Sequence, residues 1–142
     1  GYKKFSKKQI NSLIRLSKFL IKKYKIKKNN ILGHSDIAPD RKKDPGEKFP
    51  WKIMSKKKIG IWHNLNSMKL KKFRKKKCNK KLSNKFTNNL LRIGYSSNNQ
   101  NKISKSKYIT FLIKSFQRRY RPELINGKID HECLLISENL TK

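Results

Sequence analysis

A chain of 142 residues is long enough for one compact domain or two small ones, and 39 Lys and Arg residues against 8 Asp and Glu give it a formal charge of +31. Such a charge attracts any polyanion, but Lys is abundant along the whole chain, which favours a general compositional bias over a dedicated polyanion-binding patch. The sequence contains no nucleic-acid-binding motif and no run of about 18 apolar residues, so we expect neither a specific nucleic-acid partner nor a transmembrane segment.

The first predicted element is an amphipathic helix over residues 6–24. Ser6 and Gln9 have the spacing of a capping box, and Phe5 can pack on Ile10 as a hydrophobic staple. Apolar residues then recur at helical spacing and form one face, which we expect to pack on a β-sheet. The members of this face are Ile10, Leu13, Ile14, Leu20, Ile21 and Tyr24.

Residues 31–51 read ILGHSDIAPDRKKDPGEKFPW and are the most distinctive stretch of the chain. Ile31 and Leu32 predict a short strand, and Gly33 allows a tight turn before the next residue. From residue 35 to residue 50, turn-forming residues alternate with charges, without helical or strand periodicity. This pattern predicts a loop, and its prolines stiffen it enough to hold side chains in place for chemistry.

Two side chains of this loop are candidate metal ligands. His34 and Asp44 are a borderline and a hard ligand of the types that bind Zn²⁺, and a rigid loop could bring them to one ion. On residue types alone, however, one His and one Asp ten residues apart are more often an incidental surface pair.

The run GHSDIAP…RKKDPG…FPW resembles the motif GHSDIAPxRKxDPGxxFPW of the AmpD-like, type 2, zinc-dependent N-acetylmuramoyl-L-alanine amidases. The resemblance implies an α/β fold, with this chain as the C-terminal part of an amidase domain whose N-terminal strands are absent. It also implies Zn²⁺ as cofactor, His34 and Asp44 as its ligands, and Lys42 as a lysine that assists catalysis. The implied reaction is hydrolysis of the amide between N-acetylmuramic acid and L-alanine in peptidoglycan or muropeptides.

The same resemblance implies a further zinc-binding histidine and a catalytic glutamate, both from a segment that precedes the first helix. His63 and His131 do not lie in a matching context, and Glu47 aligns with no catalytic residue. Cys78 and Cys133 have no metal-binding spacing and do not indicate a redox compartment. Two protein ligands are fewer than catalytic zinc sites use, so we expect this chain alone to be inactive.

The composition divides the rest of the chain. Residues 50–62 predict a short helical turn and an apolar tail that closes the amidase-type unit, residues 1–62. Residues 63–82 are rich in lysine and predict a basic linker with some helix, either a solvated connection or a patch that touches an anionic polymer. The core candidates within residues 50–62 are Trp51, Ile53, Ile59, Ile61 and Trp62. Residues 83–142 form the last unit.

The sequence of the last unit, residues 83–142, predicts three short helices with a small shared core. The first helix ends at Gly94, the second lies between its N-cap Ser104 and Pro122, and the third is capped by Asp130. A polar loop over residues 96–102 joins the first two helices. The second helix carries a stripe that we expect to be core rather than a ligand platform, namely Tyr108, Leu112, Phe116 and Tyr120.

The run FQRRYRPELINGKID resembles the peptidoglycan-binding helical domain, with pattern FQ…FRP…G.ID, found behind the catalytic domain in some of these amidases. The resemblance implies peptidoglycan or a muropeptide as the partner and, by analogy, favours the cell envelope or periplasm over the cytoplasm. The alternative function is a non-catalytic peptidoglycan-binding or polyanion-binding protein that keeps an amidase remnant.

Overall fold

The computed structural model describes residues 3–96 and 103–142, and this part of the chain is helical. A single 3-10 turn, Lys28–Asn30, lies between the first two helices. Within the described residues there is no β-strand, and one isolated bridge joins Lys77 and Asp130. The helices are α1 (Lys7–Tyr24), α2 (His34–Ile37), α3 (Trp51–Lys56), α4 (Ser67–Lys71), α5 (Lys80–Arg92), α6 (Lys105–Tyr120) and α7 (His131–Leu140).

The predicted α/β fold class is therefore wrong for the part of the chain that the structure describes. Ile31 and Leu32, the expected strand, lie in irregular backbone directly after the 3-10 turn. A strand needs a neighbour to pair its backbone N–H and C=O groups, and no neighbouring strand is present among the described residues. The carbonyl of Ile31 instead accepts a hydrogen bond from the Arg119 guanidinium at 3.2 Å.

Helix α1 begins as predicted. The Ser6 hydroxyl accepts from the backbone N–H of Gln9 at 3.2 Å, and the Gln9 side chain accepts from the backbone N–H of Ser6 at 2.8 Å. Its predicted packing on a sheet is wrong, since α1 has no buried residue in the described structure. Leu16, Phe19 and Tyr24 are 55, 60 and 61 % exposed. The rest of its predicted apolar face, Ile10, Leu13, Ile14, Leu20 and Ile21, is partly buried.

The core of the molecule lies among α5, α6 and α7, which confirms the three predicted helices. Gly94 (φ 98°) ends α5, with the backbone N–H of Tyr95 donating to the Leu90 carbonyl at 3.0 Å. That pair of features is a Schellman cap. Ser104 caps α6 and Asp130 caps α7, as predicted. The predicted polar loop 96–102 falls mainly on residues 97–102, outside the described residues. The aromatic stripe of α6 is core, with Tyr108, Leu112, Phe116 and Tyr120 all buried.

The run FQRRYRPELINGKID owes its pattern to a buried polar network around the turn between α6 and α7. The Gln117 side chain donates to the Lys128 carbonyl at 2.9 Å and accepts from the Gly127 N–H at 2.8 Å. Arg121 is 1 % exposed and pairs with the carboxylates of Asp130 and Glu132. These residues fix the turn, because a buried polar side chain must be hydrogen-bonded to be tolerated.

The lysine-rich segment 63–82 contains α4 and packs against α7. Leu70 belongs to the main core, Arg74 forms ion pairs with Glu123 and Glu132, and the backbone N–H of His131 donates to the Lys76 carbonyl at 3.0 Å. Within the described residues, no helix combines the length and the apolar character needed to cross a bilayer.

The tail over residues 50–62 begins with the predicted helical turn, α3. Trp51 and Ile59 are buried as predicted, whereas Ile53 is 53 % exposed and does not belong to the core. Ile61 and Trp62 are partly buried and pack against the core cluster of the last three helices.

Candidate metal centre and adjoining cleft

The two predicted metal ligands lie side by side. His34 is the first residue of α2, and Asp44 lies ten residues later in the turn that follows this helix. The imidazole Nδ1 is 3.2 Å from Asp44 Oδ2, and the two side chains are 45 and 62 % exposed. Both groups are therefore adjacent and accessible from solvent.

This separation suits zinc. Zinc–nitrogen and zinc–oxygen bonds of about 2.0–2.2 Å at a tetrahedral angle place two ligand atoms about 3.3–3.6 Å apart. The 3.2 Å between the His34 and Asp44 atoms lies just below that range and also suits a long hydrogen bond. Within residues 3–96 and 103–142, no third His, Cys, Asp or Glu completes a metal-binding group. The pair therefore fits half of a catalytic zinc shell.

The other two histidines lie elsewhere. His63 is buried, 7 % exposed, and its ring stacks on that of Trp62 at a centroid distance of 5.2 Å. Burial, followed by the charge of Lys52, lowers the pKa of His63 from its ordinary value. His131 is the first residue of α7.

Backbone contacts hold the loop around the pair. The backbone N–H of Ser35 donates to the Asp44 carbonyl at 2.9 Å, which ties the start of α2 to the later turn. Gly33 has φ −83°, so a left-handed turn does not explain this glycine. Space does explain it, since a Cβ on Gly33 would lie 2.8 Å from Cδ of Pro45. A close approach of two loop segments therefore requires glycine at this position.

A buried network below the pair joins the loop to α6. Asp36 is 1 % exposed and accepts from the backbone N–H of Gly33 at 2.8 Å and from Arg119 Nη1 at 2.6 Å. The hydroxyl of Ser115 lies 2.7 Å from the Ser35 carbonyl oxygen and 3.2 Å from Asp36 Oδ1. These contacts fix the start of α2 to the middle of α6.

Arg119 also holds the residues on either side of the loop. Its guanidinium lies 3.8 Å from the ring centroid of Trp51 and donates to the Ile31 carbonyl. The sequence patterns did not indicate Arg119 or Ser115. Their partners are about 80 positions away in the chain, and no local pattern marks such a pair.

Lys42 lies in the same turn as Asp44, and both line a cleft of about 630 Å³. The backbone N–H of Lys42 donates to the Ala38 carbonyl at 2.9 Å, and the side chain is partly exposed. Residues of α6 form the opposite wall of this cleft. The structure thus places all three sequence-predicted site residues in one region.

Comparison with known proteins identifies relatives of this chain. Residues 1–47 match the family model for N-acetylmuramoyl-L-alanine amidase. The N-acetylmuramoyl-L-alanine amidase AmiD of Escherichia coli K12 is 33 % identical over 136 residues, 96 % of this chain and 48 % of AmiD. The 1,6-anhydro-N-acetylmuramyl-L-alanine amidase AmpD of Enterobacter cloacae is 49 % identical over 43 residues, 30 % of this chain and 23 % of AmpD.

Solved structures agree over nearly the whole chain. The complex of E. coli AmiD with the substrate anhydro-N-acetylmuramic acid-L-Ala-D-γ-Glu-L-Lys superposes with a TM-score of 0.80 at 32 % identity, covering 99 % of this chain and 53 % of that one. AMPDH3 of Pseudomonas aeruginosa gives a TM-score of 0.79 at 28 % identity, with 99 and 54 % covered. The resemblance read from the motif is confirmed: this chain is similar to the AmpD-like, type 2 N-acetylmuramoyl-L-alanine amidases, and it spans about half of the length of AmiD and AMPDH3.

Proposed function

We propose that this chain is part of a zinc-dependent N-acetylmuramoyl-L-alanine amidase, which hydrolyses the amide between N-acetylmuramic acid and L-alanine in peptidoglycan or muropeptides. The observation that carries the proposal is the 3.2 Å approach of His34 Nδ1 and Asp44 Oδ2 inside a motif shared with these amidases. The similarity to AmiD over 96 % of the chain supports it. The relatives are amidases, and nothing favours a non-catalytic binding protein.

In this proposal, His34 and Asp44 hold the metal from one side and leave the remaining positions to other ligands and the substrate. Zinc, when bound, supplies a water that is nucleophilic near neutral pH, because coordination lowers the pKa of that water to about 7. The backbone hydrogen bond from Ser35 to the Asp44 carbonyl holds together the two chain segments that carry the proposed ligands.

Lys42 supplies a positive charge on the wall of the cleft beside Asp44. As the amide carbon becomes tetrahedral, negative charge develops on its oxygen, and a nearby ammonium stabilises that charge. Because this interaction is strongest in the transition state, Lys42 acts on the rate of the chemical step rather than on substrate affinity.

The proposed organisation follows the boundaries read from the sequence. Residues 1–62 supply the metal ligands, and residues 83–142 form a peptidoglycan-binding helical unit. Residues 63–82 connect these two units. The partner is peptidoglycan or a muropeptide, as in the substrate complex of AmiD. Peptidoglycan lies in the cell envelope, so we infer the envelope or periplasm as the compartment in preference to the cytoplasm.

The test is hydrolysis by the full polypeptide that its gene encodes around these residues. With N-acetylmuramoyl-L-Ala-D-γ-Glu-L-Lys as substrate, we expect zinc-dependent release of the free peptide, detected by mass spectrometry. Lys42→Gln should lower kcat about 10²–10³-fold with little change in KM, the usual effect of losing one oxyanion donor. His34→Ala should abolish the zinc-dependent activity.

Lys80→Gln is the matched control, because it removes one exposed lysine at the start of α5, outside the cleft. It should leave both kinetic constants unchanged. A polypeptide that binds zinc but releases no L-alanine peptide would contradict the amidase assignment. Equal losses in the Lys42 and Lys80 variants would contradict the role of Lys42.

A further inference from the structure

A groove along α3 has a composition that the proposed amidase chemistry does not use. Its volume of about 610 Å³ lies within the usual range of small-molecule sites, about 300–1,000 Å³. The 3-10 turn, α3 and the segment that follows α3 all contribute to its lining. The side chains that define this α3 groove are Lys28, Lys52, Lys56, Lys58, Ile61 and Trp62.

The α3 groove is separate from the candidate metal centre. It shares no lining residue with the cleft beside Asp44. Gly60, in the wall of the groove, lies against the indole of Trp51, since a Cβ on Gly60 would be 3.3 Å from Cζ3 of that ring. A Cβ on Gly33, in the loop of the proposed metal ligands, would be 3.3 Å from Cζ2 of the same ring. The indole of Trp51 therefore adjoins both regions, which occupy different parts of the surface.

The lysines of the α3 groove have no acidic counterpart. Among the described residues, no Asp or Glu lines this groove, whereas four other clefts each include at least one. Within residues 3–96 and 103–142, none of its four lysines forms an ion pair. Like charges around a concave surface reinforce one another's field, and an anion in the groove relieves their repulsion. The placement of the carboxylates thus distinguishes this groove from the general lysine excess of the chain.

Trp62 and Ile61 give the α3 groove an apolar side. Trp62 is partly exposed, and neighbouring rings hold its indole in place. Its ring centroid lies 5.2 Å from that of His63 and 5.4 Å from that of Tyr120. A ring that is already fixed loses little conformational freedom when a ligand packs on it. The groove therefore combines a fixed aromatic surface with a set of cations.

We propose that the α3 groove binds an organic phosphate, with the phosphate group on the lysines and the apolar body of the ligand along Trp62 and Ile61. Lysine ammonium groups bind phosphate as point charges, and a phosphate monoester carries a charge of about −1.5 to −2 at pH 7. A carboxylate carries a single charge, so a cluster of unpaired cations favours the phosphate. A soluble phosphate ester and the headgroup of a lipid share this chemistry.

The test is NMR titration of residues 1–142, without zinc and at about pH 7.5, where phosphate monoesters are mainly dianionic. The probes are phenyl phosphate, methyl phosphate and dihexanoyl phosphatidic acid. Phenyl and methyl phosphate carry the same charge, so the difference between their affinities measures the contact with Trp62. We expect the indole N–H signal of Trp62 to shift, and phenyl phosphate to bind at least about threefold more tightly than methyl phosphate.

The lipid probe distinguishes the two sources of the phosphate. Binding of dihexanoyl phosphatidic acid in the groove more tightly than phenyl phosphate would support a lipid headgroup as the ligand, and weaker binding would support a soluble ester.

Substitutions of single lysines test the charge. Lys52→Gln and Lys58→Gln should each weaken the binding of phenyl phosphate about three- to fivefold, the effect of losing one exposed ionic contact. Lys57→Gln is the matched control, because Lys57 ends α3 beside these lysines and does not line the groove. Screening by salt should keep its effect below about twofold. Thermal unfolding should show that all three variants remain folded.

His63, in the wall of the groove, gives an independent readout. Burial and then the charge of Lys52 lower its pKa, against the opposing charge of Glu132. A phosphate beside Lys52 offsets that positive charge, so the pKa of His63 should rise on saturation with phenyl phosphate. An unchanged pKa would overturn the proposal. Equal affinities of phenyl and methyl phosphate, or an equal loss in Lys57→Gln and Lys52→Gln, would overturn it as well and leave only non-specific attraction.

Discussion

At the scale of single residues, the site depends on side chains whose roles differ from those of chemically identical neighbours. His34 is accessible and faces Asp44, whereas His63 is buried beside Trp62. One imidazole is thus available to a metal, and the other contributes to packing. Lys42 differs from most lysines of the chain only by its place in the cleft. Position in the fold, rather than residue type, separates function from background here.

The buried His63 predicts a pH dependence of stability. Burial and the charge of Lys52 lower its pKa, outweighing the charge of Glu132 and a backbone hydrogen bond with Leu65. Below the ordinary histidine pKa of about 6.5, the unfolded chain therefore binds a proton that the folded chain does not. Stability should fall as pH drops from about 6.5 towards the lowered pKa.

His63→Phe removes the titrating group and keeps an aromatic ring in its place. Urea unfolding at about pH 7.5 and about pH 5.5 should show a smaller loss of stability at the acidic pH in the variant than in wild type. An identical loss in both proteins would show that His63 contributes nothing to the pH dependence.

At the scale of elements, α6 connects the two halves of the described chain. One face of this helix supplies Leu112 and Phe116 to the core, and another presents Ser115 and Arg119 to the loop that carries the proposed metal ligands. Helix α1, by contrast, has no buried residue in the described structure. The order of the loop therefore depends on a helix that follows it by about 80 residues more than on the helix just before it.

Breaking the Asp36–Arg119 pair should be costly. Both side chains are nearly inaccessible, 1 and 2 % exposed, and removing one partner leaves the other charge buried without its counter-ion. Arg119→Met should destabilise the fold by about 3–5 kcal/mol in denaturant unfolding. The Asp36→Asn change in the same background should recover part of that loss, because it removes the isolated negative charge.

The exposed ion pair between Lys85 and Glu138 provides the comparison, since Lys85 is 58 % exposed there. Lys85→Met should change stability by no more than about 1 kcal/mol. If Arg119→Met were as mild as Lys85→Met, the buried network would not hold the loop in place.

At the scale of the whole molecule, local signals in the sequence predicted what is local in the structure. The capping box of α1, the end of α5 at Gly94 and the caps of α6 and α7 are short-range patterns, and the structure confirms them. The α/β fold class came from the family resemblance instead. Inside the chain it depended on a strand of two residues, which has no pairing neighbour in the described part.

The candidate site also combines residues that local patterns indicate with residues that only the fold brings together. The motif indicated His34, Lys42 and Asp44, and the fold brings all three to one region. The residues that hold this region, Ser115 and Arg119, depend on packing between distant segments, and single-sequence patterns do not encode that contact. Gly33 was expected to serve a tight turn, but its role is to admit Pro45.

We propose that His34 and Asp44 bind one zinc ion. The direct measurement follows the imidazole nitrogen signals of the three histidines during a Zn²⁺ titration of residues 1–142. We expect saturable shifts at His34, small changes at His63 and His131, and at least about tenfold weaker binding in Asp44→Asn but not in Asp40→Asn. Unchanged imidazole signals of His34 on zinc addition would contradict the proposed site. Zinc binding to Asp44→Asn as tight as to wild type would contradict it as well.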